Sequence, residues 1–174
     1  YAGTVLDFET SLLTKSLLSG FLSSRIALNV NEVNALLVAK ERGITVGEKI
    51  SQNTSGYTNT ISVTVKSDIR QLEIKGTYIE NYGPRIVSLN NFTIDFVPEG
   101  HLLYIQHTDK PGVIGRVGKI LGDNEINIAT MQVGRKQVGG EAIMVLSFDK
   151  PLCDEVLNTL LEQEDICQLH RISL

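Results

Sequence analysis

The chain has 174 residues, 42% hydrophobic and 21% charged, with a formal net charge of −4. That is the composition of an ordinary globular protein, long enough for one large domain or two small ones. Acidic residues outnumber basic ones on both sides of Gly100, which excludes the basic footprint of a nucleic-acid binder. No apolar run approaches the ~18 residues of a membrane span, and no signal peptide is visible in residues 1–20. Tyr1 in place of Met predicts a fragment or a processed product. Cys153 and Cys167 lack flanking His or Cys, so they read as free thiols of a reducing cytosol rather than metal ligands.

In chain order, Ala2–Phe8 reads as a strand and Ser11–Phe21 as a helix, with apolar residues at 12, 13, 17, 18 and 21. Asn29 is placed to cap a second helix, with Glu32 completing a capping box. Val33, Leu36, Leu37 and Val38 would form its inward face, and Gly43 would end it. The period then changes to two. Residues 60–65 and 71–74 alternate polar and apolar around a turn at Lys66-Ser67-Asp68. Gly83 breaks the next segment, and 85–89 with 92–97 forms a hairpin around Asn90-Asn91. Two helices followed by four strands predict helices packed on one face of a mixed or mostly antiparallel sheet.

Pro98-Glu99-Gly100 marks a domain boundary, giving domains 1–99 and 100–174. Beyond it the predicted order is strand 102–106, helix 112–122, strands 126–135 and 141–148 joined near Gly139-Gly140, helix 154–162 and strand 166–172. This βαββαβ order is the ferredoxin-like arrangement, so the fold class is α+β.

The chemistry gathers at Gln106–Gly115 and Ile126–Thr130. Pro111 near a helix start costs no hydrogen bond. Gly112 lets a ligand approach the backbone, and the free amides there favour a carboxylate. Asp109 can accept from an ammonium group. His107 can donate to a carboxylate or accept from a hydroxyl, and Asn127 can do both. Each residue also has a plain role in a solvated turn. Gly112, Gly115 and Gly118 recur every three residues, each costing about 1 kcal/mol against Ala, which predicts close approach of this helix to the sheet or to a second subunit. No nucleophile–base pair occurs in the first half, where no histidine precedes His101. Lys49 and Arg85 are candidate anion contacts among otherwise scattered basic residues.

Read together, Asn29–Ala35, Ala39–Ile44, Gly76-Thr77, Arg85–Val87, the 106–115 loop and Met131–Arg135 resemble the C-terminal regulatory half of D-3-phosphoglycerate dehydrogenase in its longer form. The resemblance covers essentially the whole chain. It makes 1–99 the intervening, or allosteric substrate-binding, domain and 100–174 an ACT domain. It implies L-serine as effector at His107, Asp109 and Asn127, with Gly112 at the loop. Some members carry Asn where this chain has Asp109, whose charge suits an ammonium group. The resemblance also implies pairing through ACT domains, a cytoplasmic location, and an anion site in the first domain. The parent enzyme would use NAD. This chain has no G-x-G-x-x-G loop after a strand, and it is expected to hold no cofactor, no metal and no catalytic residue. The regulatory (beta) subunit of iron–sulfur L-serine dehydratase shares similar domains and is the alternative, and a ligand-free oligomerisation module is a third reading.

Overall fold

A computed structural model describes all 174 residues. They divide into two compact units, Tyr1–Ile61 and Ser62–Leu174.

The first unit opens with a two-residue strand, β1 (Ala2–Gly3), and a 3-10 turn over Thr4–Asp7. The expected strand over 2–8 is therefore only two residues long. Two helices follow, α1 (Thr10–Ser23) and α2 (Ala35–Glu41), and then β2 (Asn59–Lys66), in which the division falls. Their buried cluster is Leu18, Leu22, Val30, Ala35, Val38 and Ala39, with no strand residue in it.

The capping box expected at Asn29 and Glu32 does not form. Asn31 and Asn34 instead fold the chain back on itself. Asn31 Oδ1 accepts from the amides of Val33 and Asn34, and Asn34 Oδ1 accepts from the amide of Asn31. Glu32 accepts from the Ser16 hydroxyl. Side-chain bonds of this kind compete with helix, so α2 starts only at Ala35. The later start rotates the buried stripe onto Ala35, Val38 and Ala39 and leaves Val33, Leu36 and Leu37 exposed. The helix end is as expected: the amides of Gly43 and Ile44 donate to the carbonyls of Lys40 and Ala39.

The second unit begins with an antiparallel meander, β3 (Gln71–Ile79), β4 (Gly83–Leu89) and β5 (Phe92–Phe96). Asn90 and Asn91 both take positive φ, the backbone of a tight two-residue hairpin. Then come β6 (His101–Thr108), α3 (Val113–Asp123), β7 (Ile128–Arg135), β8 (Glu141–Phe148), α4 (Asp154–Leu161) and β9 (Ile166–Ser173). Their sheet has the order β7-β8-β6-β9, antiparallel throughout, which is the predicted ferredoxin-like arrangement.

Both faces of this sheet are covered. On one, Leu103, Ile105, Met144 and Leu146 pack with Val113, Val117 and Leu121 of α3 and Val156 and Leu160 of α4. On the other, Leu102, Tyr104, Ile143 and Val145 pack with Phe92, Ile94 and Phe96 of β5. The meander thus buries its apolar face on the second sheet, and not under the two helices that the order of predicted elements assigns to it. Gly100, the boundary read from the sequence, lies inside this second unit. The two layers approach closely at Gly134 of β7, where a Cβ would lie 2.5 Å from the carbonyl oxygen of Thr93.

Candidate effector site

The site is built at the end of β6. Odd positions of this strand face the helices, so His107 continues the row of Leu103 and Ile105 and is only 2% exposed. Its Nδ1 lies 2.9 Å from the Thr108 carbonyl. A carbonyl only accepts, so Nδ1 carries the hydrogen. In a neutral ring Nε2 is then an acceptor, and it is buried without any partner.

The loop after His107 is held from two sides. Asp109 is clamped to the β7–β8 hairpin: its amide donates to Gly140 O at 2.8 Å, and its Oδ2 accepts from Arg135 Nη1 and the Gly139 amide, both at 3.1 Å. The Gly139 amide and the Arg135 guanidinium hold the Asp109 carboxyl below the ordinary aspartate range. Its Oδ1 accepts no hydrogen bond within the chain.

On the other side stands Asp165, just before β9. It is 7% exposed and takes Lys110 Nζ at 2.8 Å and Arg116 Nη2 at 2.5 Å. Its backbone oxygen accepts from Thr108 N at 3.0 Å. The hydrogen bond from Lys110, with the charges of Lys110 and Arg116, lowers the Asp165 carboxyl. Two cations thus converge on one carboxylate beside the start of α3, and Glu164 also acts on Lys110. Gly112 caps that start at φ +89, a left-handed backbone that glycine adopts without strain.

The structure therefore brings His107, Asp109 and Gly112 to one loop. Asn127 is not among them. The register pairs His107 with Ala142 and Ala142 with Arg135, whereas Ile128, next to Asn127, pairs with Phe148, which pairs with His101. Asn127 thus stands, exposed, at the opposite end of the sheet, with α3 spanning the distance. At ~3.3 Å per residue along β6, the two ends are roughly 20 Å apart.

The candidate anion contacts are not brought together either. Lys49 is an exposed loop residue of the first unit. Arg85, on β4, is paired with Asp95 of β5 at 2.5 Å. Nor do Gly115 and Gly118 serve close approach within the chain, because a Cβ at either would meet nothing within 4 Å. Arg135, Gly139, Lys110, Arg116 and Asp165 were not legible as loop partners. Only the Gly139-Gly140 turn signal hinted that the hairpin reaches this end of the sheet.

A family model described as D-3-phosphoglycerate dehydrogenase intervening domain matches residues 1–90, and one described as ACT domain matches residues 101–165. D-3-phosphoglycerate dehydrogenase of Bacillus subtilis is 59% identical over all 174 residues, and that of Methanocaldococcus jannaschii is 40% identical over the same span. The chain covers 33% of each of these relatives. A "Probable L-serine dehydratase, beta chain" of Bacillus subtilis is 27% identical over 139 residues, 80% of this chain and 63% of that protein. With the βαββαβ sheet and the loop described, these likenesses give the conclusion: the chain belongs to the D-3-phosphoglycerate dehydrogenase intervening-domain family and joins that domain to an ACT domain, the regulatory part of these proteins.

Proposed function

We propose that this chain is the serine-sensing part of an NAD-dependent, cytoplasmic D-3-phosphoglycerate dehydrogenase, with residues 1–99 as intervening domain and 100–174 as ACT domain. L-serine binds between two paired ACT domains. Catalysis and NAD binding belong to other segments of the parent enzyme.

The observation that carries this reading is the separation of Asn127 from His107. One chain cannot assemble the three polar residues, but a two-fold pair can. Asn127 immediately precedes β7, an edge strand. Antiparallel pairing of β7 edges brings Asn127 of one copy to the Arg135 end of the other, where Asp109 is clamped. Asp109 Oδ1 then receives the ammonium group, Asn127 of the second copy reads the carboxylate, and the orphaned His107 Nε2 accepts from the serine hydroxyl. Since Nε2 is sealed from solvent, the Asp109 loop has to shift for the ligand to enter, which gives the effector a conformational change to bias.

The test is thermal unfolding with L-serine and L-alanine, alongside sedimentation of the Asn127→Ala variant. Serine at a hundred times its Kd should stabilise the protein by about 2.7 kcal/mol. Alanine lacks the hydroxyl and should bind about 1–3 kcal/mol more weakly. Asn127→Ala should remove the serine shift while leaving the oligomer intact. A folded protein unmoved by millimolar serine would sink the effector claim.

A further inference from the structure

A second concavity lies on the far side of the ACT sheet, within the second compact unit. It has a volume of about 380 Å³, in the range of small-ligand sites. Tyr104 and Phe92 line it, with Glu73 of β3, Glu141 of β8 and Lys136 of the β7–β8 turn. None of it overlaps the Asp109 loop. Gln106, adjacent to His107 in sequence, points to the opposite face of the sheet.

Three features indicate a ligand. Tyr104 is only 7% exposed, with its ring in the core between the two layers and one side on the cavity. Its hydroxyl is not sealed in the core, and the cavity that Tyr104 lines leaves it open to a ligand. Next, neither Glu73 nor Glu141 is in an ion pair. Glu141 Oε1 takes one bond, from Gln106 Nε2 at 3.1 Å, and Glu73 contributes its amide to Asn90 Oδ1 at 2.9 Å. Finally, Phe92 offers a ring face already used by a cation, since Lys136 Nζ sits 4.1 Å from its centroid.

The chemistry of the wall selects the ligand class. Two carboxylates against one ammonium leave the cavity net negative, which disfavours phosphate and dicarboxylates. Side-chain amides from Gln71, Asn90 and Asn91 offer further donors and acceptors, so an apolar compound would leave them unpaired. No group of three or more His, Cys, Asp or Glu side chains is present to hold a bare metal ion. We propose that this cavity binds a compact, hydroxyl-bearing ammonium compound, with its ammonium group between Glu73 and Glu141 and its hydroxyl on Tyr104.

The test is calorimetric titration of the full-length protein with 1,3-diaminopropan-2-ol, with glycerol and inorganic phosphate as the uncharged and anionic controls. The diamine should bind, and neither control should. Glu73→Gln and Glu141→Gln should each weaken binding about tenfold, the loss of one charge-assisted hydrogen bond. Tyr104→Phe, which keeps the ring, should weaken it severalfold. No heat with the diamine, binding unchanged in both Gln variants, or phosphate binding in its place would each overturn the proposal.

Discussion

The core under the ACT helices and the core between α1 and α2 are built from similar residues to different standards. Under α3 and α4, the large side chains Leu121, Val117, Leu160, Leu103 and Ile105 are wholly buried. Between α1 and α2 the cluster depends on two alanines and a few larger side chains, while Leu12, Leu17, Leu36 and Leu37 remain 37–59% exposed. The lesson is that hydrophobic residues in a helical period identify a helix but not its buried face. The face follows from where the helix starts. In α3 the start is set by Pro111-Gly112 and agrees with the period. In α2 it is set by the Asn31–Asn34 turn, which displaces the stripe.

The sharpest way to break this comparison is to truncate one leucine in each region. Leu121→Ala removes a side chain with no exposure and should cost about 2–5 kcal/mol. Leu37→Ala truncates a side chain that is 59% exposed and should stay within about 0.5 kcal/mol. Urea unfolding of both variants measures the contrast. Equal costs would mean that Leu37 is buried in the folded protein and that the α1–α2 core extends to it.

A smaller effect should come from Asp165, which ties the loop after β6 to α3. Asp165→Asn leaves Lys110 and Arg116 facing each other at a helix start, where positive charge is already disfavoured. The sign with pH follows from the lowered carboxyl. Its folded value lies below the ordinary 3.8, so the folded state favours the ionised form. The stabilisation is complete above the unfolded value and is lost as pH falls from 3.8 through the folded one. The wild type should therefore melt above Asp165→Asn by a constant margin at neutral pH, and the margin should close in acid below pH 3.8. A margin that persisted unchanged to pH 2 would mean that the carboxylate's charge contributes nothing.

The ACT half was legible nearly residue by residue, because its elements alternate period 2 with period 3.6 and are separated by Pro, Gly and Asn. What escaped was the second layer on its sheet. The signal was present: Leu102–Ile105 and Ala142–Leu146 are unbroken apolar runs, the mark of strands buried on both faces. Read as ordinary strands, they leave the second face of the sheet without a cover, and two helices ahead of four strands point to the helices as the meander's partner. The candidate site was legible in its local parts, His107, Asp109 and Gly112, since the turn chemistry lies within six residues. Its long-range partners, Arg135, Gly139 and Asp165, depend on sheet register. So does the position of Asn127, which register sends to the far end of the sheet.

The comparison sharpens finally at α3 itself. Its buried face, Val113, Val117 and Leu121, is fully packed, whereas its glycines serve no contact within the chain. Gly118 has a helical backbone and open space where its Cβ would go. Gly118→Ala removes the backbone entropy that glycine loses on folding and introduces no clash, so it should stabilise the protein by up to about 1 kcal/mol. Thermal unfolding below the concentration at which copies associate measures this directly. The same variant at higher concentration asks a second question. If the melting temperature rises at low concentration and falls relative to wild type as the protein concentrates, the open face of α3 is a surface where copies meet, and glycine there serves the pair. If the gain is the same at every concentration, that face is solvent in all states, and glycine at position 118 is a cost that this fold simply carries.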